Sequence, residues 1–202
     1  MKTIKPYFVI EDFDGAKILK NIEKAARVCY KSESSENSAE NFVKKIINSG
    51  HESVIEHEKI TVLLICDRGV THELVRHRIA SYSQESTRYC NYSHDKFGGE
   101  LTFIEPSFWE KESVSYKIWQ KSCEQSEENY LKLLEEGATP QEARAILPNS
   151  LKTEIYVTMN LREWRHFFKL RTAPAAHPQM REITIPLLDE LRKRLPVIFD
   201  NL

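Results

Sequence analysis

A mixed α/β (α+β) fold, with a central and mostly antiparallel sheet flanked by long helices, is the class this sequence predicts, as a single domain over residues 1–202. Three observations carry that expectation. Apolar residues recur at helical spacing in several long segments, two short apolar runs far apart in the chain read as buried strands, and 202 residues suffice for one sizeable core. The composition, 41% hydrophobic and 29% charged, is that of a globular chain rather than a fibrous or low-complexity one. Periodicity leaves the strand order open.

From Asp14 to Lys31 the residues Ile18, Leu19, Ile22, Ala25, Ala26 and Cys29 mark one helical face, and Phe42, Val43, Ile46 and Ile47 mark another, closed by Gly50. Ser53 followed by Glu56 has the spacing of a capping box opening a short helical turn. Lys59 to Asp67 is short and rich in β-branched residues, which predicts a buried strand ending in a turn at Arg68-Gly69. Val70 to Arg78 can make about two helical turns, which would gather Glu73, Arg76 and His77 through i+3 and i+4 spacing before a loop begins. Between Glu112 and Glu136 a stripe of Tyr116, Trp119, Cys123, Tyr130, Leu133 and Leu134 predicts a long helix stopped by Gly137. Thr139-Pro140-Gln141-Glu142 supplies an N-cap, a proline at the first helical position and an acidic first turn for a short helix through Leu147. Ser150 to Met159 reads as a second strand, and Asn160 leads into a helix through Leu170 that carries Trp164, Phe167 and Phe168. A last amphipathic segment holds Met180, Ile183, Leu187, Leu188, Leu191 and Leu195, with an interruption or restart expected near Pro186 and with His177 placed to begin or cap it.

Several function classes are disfavoured by the same reading. The longest apolar run, Ile60 to Cys66, is far too short to cross a bilayer, and the first residues lack a secretory pattern, so a cytoplasmic protein is expected. A formal net charge of -1 argues against a general nucleic-acid binder, so any anion site must be local. Cys29, Cys66, Cys90 and Cys123 form no CxxC pair and fit reduced, packing thiols. Histidines 51, 57, 72, 77 and 94 fall in no HExxH or zinc-finger spacing, and no metal is expected.

One segment is dense in chemistry. RHRIASYSQESTRY, residues 76–89, holds three arginines, one histidine and four serine or threonine hydroxyls without Gly or Pro. Arginine gives forked, permanently charged hydrogen bonds to phosphate oxygens, and Ser86 and Thr87 with adjacent backbone N–H groups would complete a cradle closed by Arg88. From these residues alone, a solvated charged helix running into a polar loop is an equal reading.

The wider pattern resembles the flavin-dependent thymidylate synthases. Arg76-His77-Arg78, seven residues and then Ser86 satisfy the family's RHR-x7-S motif; GHESVIEH at 50–57, EARAILP at 142–148 and NLREWRHFFKLR at 160–171 are similar to its other blocks, in order, over about residues 15 to 195. The resemblance implies an FAD site lined by Ser53, Arg76, His77, Arg78, Gln84, Asn160, Leu161, Arg162 and His166. It implies dUMP held by Glu73, Arg76, Gln84, Glu85, Ser86, Thr87, Arg88, Arg144 and Arg171, with the 5′-phosphate on Ser86, Thr87 and Arg88. Many members carry a glutamate where Gln84 stands, whereas the acid here is Glu85. The implied reaction is reductive methylation of dUMP to dTMP, with 5,10-methylenetetrahydrofolate as carbon donor and NADPH-reduced FAD as hydride source, in a homotetramer with its sites at subunit interfaces. The resemblance makes Arg171 the expected catalytic residue, a permanent cation against the uracil O2/N3 edge; as a residue by itself it reads better as a cap on the C-terminus of its helix. Ser86 as a nucleophile would need an adjacent base, and phosphate binding suits it better. The competing class is a non-enzymatic nucleotide- or RNA-binding module built on the Arg76–Arg88 loop, which lacks a basic tract elsewhere.

Overall fold

In chain order the strands are β1 (Lys2–Ile4), β2 (Tyr7–Glu11), β3 (Lys59–Asp67), β4 (Ala80–Gln84), β5 (Thr102–Ile104) and β6 (Lys152–Asn160). The helices are α1 (Gly15–Tyr30), α2 (Ala39–Asn48), α3 (Arg68–Leu74), α4 (Val114–Glu135), α5 (Pro140–Ala143), α6 (Leu161–Arg171), α7 (Pro178–Arg194) and α8 (Pro196–Phe199), with 3-10 turns at Glu52–His57 and Arg144–Ile146. The structure is a computed structural model and describes residues 1–35, 38–93 and 99–202. Four strands pair in the order β2-β3-β6-β4, and β1 pairs with β5 in parallel, Lys2 opposite Thr102. The Thr61 and Thr158 hydroxyls meet at 2.8 Å while Leu161 N–H reaches the Glu58 carbonyl at 3.0 Å, so β3 and β6 run antiparallel. The mixed class and the antiparallel sheet agree with the sequence reading.

The chain divides into two compact units, each assembled from three stretches. The first comprises Met1–Tyr7, Leu64–Arg76 and Ser83–Ile155. Its core gathers Tyr92, Leu101, Phe103, Cys123, Tyr130, Ala143 and Leu151. Asp67 caps α3 by accepting from Val70 N–H at 2.8 Å, which makes Arg68-Gly69 the first turn of a helix and corrects the expected turn there. Gly69 is required by that cap, because a Cβ would lie 2.9 Å from the Asp67 carboxylate. The helix stops at Leu74, four residues earlier than expected, so Arg76 and His77 follow it rather than share its face with Glu73. On α4 the buried side chains are Tyr116, Cys123, Ser126 and Tyr130, and Leu133 turns outward. Gly137 ends that segment at φ 93, a left-handed conformation that glycine adopts without steric cost. Thr139 caps α5 with Pro140 at its first position, as predicted, and Glu142 closes a capping box that the sequence reading does not single out. The α-helix ends at Ala143 and continues only as a 3-10 turn to Ile146, short of the expected Leu147.

The second unit comprises Phe8–Leu63, His77–Tyr82 and Tyr156–Leu202. Asp14 caps α1 through Lys17 N–H at 3.0 Å, and α1 and α2 bury most of the predicted faces, Ile18, Ile22 and Ala26 on one and Val43, Ile46 and Ile47 on the other, whereas Cys29, expected on the α1 face as a packing thiol, is exposed near the helix end. Ser53 does not open a capping box: the 3-10 turn starts two residues earlier, after His51 as its N-cap, with Ser53 inside it and exposed. Trp164, Phe167, Phe168 and Phe199 are fully buried, and the Trp164 ring stacks on Phe168 at 5.5 Å while its indole N–H donates to the Ile60 carbonyl at 3.0 Å. Burying each such ring contributes about 2–3 kcal/mol, so this cluster anchors α6. Pro186 does not break α7, which runs unbroken to Arg194; Pro186 sits on an exposed position, where solvent can satisfy the carbonyl that lacks its N–H donor. The restart comes at Pro196 instead. His177 is the N-cap of α7, its ring nitrogen accepting from Gln179 N–H at 3.3 Å.

Candidate active site

In the first unit, residues 84–92 and Arg144 are arranged around one tight turn. The Cys90 and Tyr89 N–H groups donate to the Ser86 carbonyl at 3.0 and 3.2 Å, and Arg88 N–H donates to the Ser86 hydroxyl at 3.3 Å. Thr87 is buried in this turn, and Arg144 donates to its hydroxyl at 3.4 Å. Arg88 and Arg144 are both exposed, so two permanent cations flank Ser86 and Thr87, the donor set suited to a phosphate dianion. Arg88 also lies over the Tyr89 ring, 5.4 Å from its centroid.

Glu85 anchors the turn. Its backbone N–H pairs with the Glu154 carbonyl at 2.8 Å, its carbonyl accepts from Arg68 at 2.9 Å, and its carboxylate accepts from the Tyr92 hydroxyl at 2.6 Å and from Lys152 at 3.1 Å. Burial pulls the Lys152 ammonium down, but hydrogen bonds to Glu154 and Glu85 outweigh it and hold the group above its ordinary value. Burial and the neighbouring Glu85 charge together push the Tyr92 phenol up. Gln84 is tied by its amide N–H₂ to Thr71 at 3.1 Å and Thr153 at 3.2 Å. Glu73 is half-buried in the last turn of α3 and Arg76 is exposed just beyond it.

In the second unit, His77 is buried between two side chains of α6. Its Nδ1 lies 3.0 Å from Glu163 Oε1, and Arg171 Nε donates to its Nε2 at 3.1 Å. Arg171 is always protonated, so Nε2 must carry the lone pair and the ring proton resides on Nδ1, donated to Glu163. Burial holds His77 below its ordinary value; Glu163 opposes that and Arg171 reinforces it. The His166 ring packs edge-on at 5.8 Å and Phe167 at 5.0 Å. His77, Glu163 and His166 bring potential metal ligands within 4.8 Å, but both His77 nitrogens are already engaged and a cation adjoins them, which disfavours a metal ion there. His94 lies outside the described residues.

Ser53 and Arg162 line a cavity of about 330 Å³ together with Cys29, Ile46, His51 and Glu52. Its hydroxyl, imidazole and guanidinium donors beside apolar walls fit part of a flavin dinucleotide, and its volume is at the low end for a cofactor pocket. Arg162 is held by Glu56 at 2.5 Å and Glu52 at 3.9 Å. Asn160 caps α6 by accepting from Glu163 N–H at 2.8 Å, and Leu161 is buried. Arg78 and His166 are exposed.

The chain thus gathers Gln84, Glu85, Ser86, Thr87, Arg88 and Arg144 in one unit, and Ser53 and Arg162 around one cavity and His77, His166 and Arg171 around one cluster of the other. Sequence reasoning missed Glu163, Lys152, Tyr92 and Arg68. Glu163 reads in the sequence as an acid in a helix's first turn, and only burial marks it as His77's partner.

Comparison with known proteins identifies the family. The family described as thymidylate synthase complementing protein matches residues 14–197. A flavin-dependent thymidylate synthase of Pyrococcus furiosus is 41% identical over 79% of this chain and 65% of its own length, so the chain spans just under two thirds of that relative. The Pyrococcus abyssi protein of the same name is 40% identical over 87% of this chain and 75% of its own. The crystal structure of a UMP/dUMP methylase, PolB from Streptomyces cacaoi, bound with 5-Br UMP, superposes with a TM-score of 0.79 over 99% of this chain and 95% of that one at 22% identity, which establishes a shared fold. On the extent of the family match and of these identities, the chain belongs to the thymidylate synthase complementing protein family, that of the flavin-dependent thymidylate synthases.

Proposed function

We propose that this protein catalyses the reductive methylation of dUMP to dTMP, taking the carbon from 5,10-methylenetetrahydrofolate. The observation that carries the reading is the turn at Ser86, Thr87 and Arg88 with Arg144 on the Thr87 hydroxyl, a phosphate cradle built on the family motif. Bound FAD, reduced by NADPH, would supply the hydride. Glu73, Arg76 and Gln84 would complete the nucleotide site, and Ser53, Arg76, His77, Arg78, Gln84, Asn160, Leu161, Arg162 and His166 would hold the flavin.

The side chains have distinct tasks. Ser86, Thr87, Arg88 and Arg144 bind and orient the 5′-phosphate, which fixes the position of the uracil ring at the other end of the nucleotide. Arg171 sets its cation against the uracil O2/N3 edge, where negative charge develops as C5 becomes nucleophilic, and stabilises that charge without giving up a proton. Glu85 acts through its bonds to Tyr92 and Lys152 as the anchor of the turn, since a carboxylate facing the phosphate would repel it.

The active assembly is a homotetramer in this reading, with the sites completed by other subunits. Exposed Val114 and Ile118, one turn apart on α4 at 74% and 62% exposure, support burial against another copy. No described helix is long and apolar enough to cross a membrane, and none of the four cysteines is in a disulfide, which supports a reducing cytoplasmic location. The reading is tested by colour: purified protein supplied with FAD should retain an oxidised-flavin absorption band that bleaches with NADPH, faster when dUMP is present. A preparation that fails to retain FAD would overturn it and favour a nucleotide-binding module.

A further inference from the structure

We infer that Glu163 is a positioning residue for the reaction: through the buried His77 ring it orients the Arg171 guanidinium in a relay Glu163–His77–Arg171. The inference rests on the reading of Arg171 given above. Glu163 stands in the first turn of α6 and Arg171 at its last residue, about 12 Å apart along the axis at 1.5 Å per residue. Their side chains converge on one ring, Glu163 Oε1 at 3.0 Å from Nδ1 and Arg171 Nε at 3.1 Å from Nε2.

The polarity of the chain is fixed from one end. A guanidinium donates only, so Nε2 must accept, Nδ1 must bear hydrogen, and that hydrogen needs an acceptor, which the Glu163 carboxylate provides. Without it the other tautomer becomes available, placing N–H against N–H at Arg171 and releasing the guanidinium edge. Burial makes the arrangement rigid: the His77 and Glu163 side chains retain 3% and 10% of their surface. The α6 register delivering Glu163 is set by Asn160, which accepts the Glu163 N–H.

Protonation of His77 would break the relay in the same way, donor against donor and cation against cation. The charged or titratable groups facing the ring are Glu163, His166 and Arg171 from α6, with the Tyr82 hydroxyl of β4 donating to the His77 carbonyl at 2.7 Å. Turnover should therefore fall on the acid side as His77 protonates, below the ordinary histidine value. Among the described neighbours Glu163 is the group favouring the protonated ring, so removing its charge moves that limb to lower pH.

The test compares Glu163→Ala and the isosteric Glu163→Gln in the FAD-loaded protein, reading kcat against pH at saturating dUMP and flavin retention. Nitrogen-15 spectra of the His77 ring and the Arg171 Nε–H are recorded on the same proteins without substrate. The expected result is a loss of about tenfold in kcat for Glu163→Ala, with flavin retained and a weakened or shifted Arg171 Nε–H signal, since a charge-assisted hydrogen bond is lost. Glu163→Gln, whose carbonyl still accepts from Nδ1, should regain most of the turnover with its acid limb at lower pH. Unchanged kcat, acid limb and Nε–H signal in Glu163→Ala would overturn the inference, as would equal losses in both variants accompanied by loss of flavin. Arg171→Ala run alongside separates the two ideas: unchanged turnover there sinks the role of Arg171, while the spectra alone still decide whether the relay exists.

Discussion

Replacing Glu85 distinguishes an anchor of the phosphate turn from a ligand of the substrate. In Glu85→Ala the backbone bonds to Glu154 and Arg68 persist, so the loss is confined to the carboxylate. The Tyr92 hydroxyl loses an acceptor at 2.6 Å on a residue only 6% exposed, which costs about 1–3 kcal/mol. Lys152 keeps Glu154 at 2.5 Å and a fifth of its side chain in solvent, so its lost ion pair adds only about 0.5–1 kcal/mol. The sum, about 1.5–4 kcal/mol, corresponds to a fall in Tm of about 3–16 °C for a chain of this size. Glu85→Gln retains an acceptor for Tyr92 and should lose only about 1 kcal/mol. Urea unfolding at fixed protein concentration measures both, with dUMP binding followed by calorimetry on the folded variants. Stability within about 0.5 kcal/mol of the parent for Glu85→Ala, coupled with a tenfold or greater loss of dUMP affinity, would refute the anchoring role and make Glu85 a substrate contact.

Three further outcomes follow from the same geometry. Arg88→Ala should weaken dUMP binding by about tenfold to a hundredfold while leaving deoxyuridine and FAD binding nearly unchanged, because a charge-assisted phosphate contact is lost; equal losses for all three ligands would show that the turn does not hold the phosphate. Asn160→Ala should cost about 1 kcal/mol from the lost cap, and Asn160→Asp should restore stability without restoring flavin affinity; full recovery of both by aspartate would limit Asn160 to capping. Burial alone would raise Glu23, but hydrogen bonds from Ser38 and Arg27 outweigh it and hold the carboxyl below its ordinary 4.5, so its contribution to stability is present above that value and lost as pH falls through the lowered one. Glu23→Gln should accordingly flatten the acid limb of stability in urea titrations between neutral pH and pH about 3, and an unaltered slope would remove Glu23 as its source.

The long elements were legible because their signals are local: the faces of α1, α2 and α4, the Asn160 start of α6 and the Thr139-Pro140 start of α5 depend on residues within a few turns. The strands β1, β2, β4 and β5 were not legible. β4 reads ASYSQ, mostly polar, and β1 and β5 have three residues each, so their strand character comes from partners distant in sequence. Pro186 misled because its cost depends on exposure, which the residue type does not reveal. At the site, the Ser86–Arg88 turn was visible as a density of donors, but the partners that hold it were hidden as ordinary charged or aromatic residues: Lys152 in a strand, Tyr92 beyond the motif, Glu163 in a helix's first turn. Each acquires its role from burial beside a residue 7 to 86 positions away, a separation no local pattern encodes.

The most direct test of the proposed activity is to incubate the protein with FAD, NADPH, dUMP and 5,10-methylenetetrahydrofolate labelled at its methylene carbon and to look for label in the C5 methyl of dTMP. Labelled dTMP is expected from the parent protein, with a sharp reduction in Arg171→Ala at saturating dUMP. Flavin-loaded protein that binds dUMP yet forms no labelled dTMP would contradict that activity.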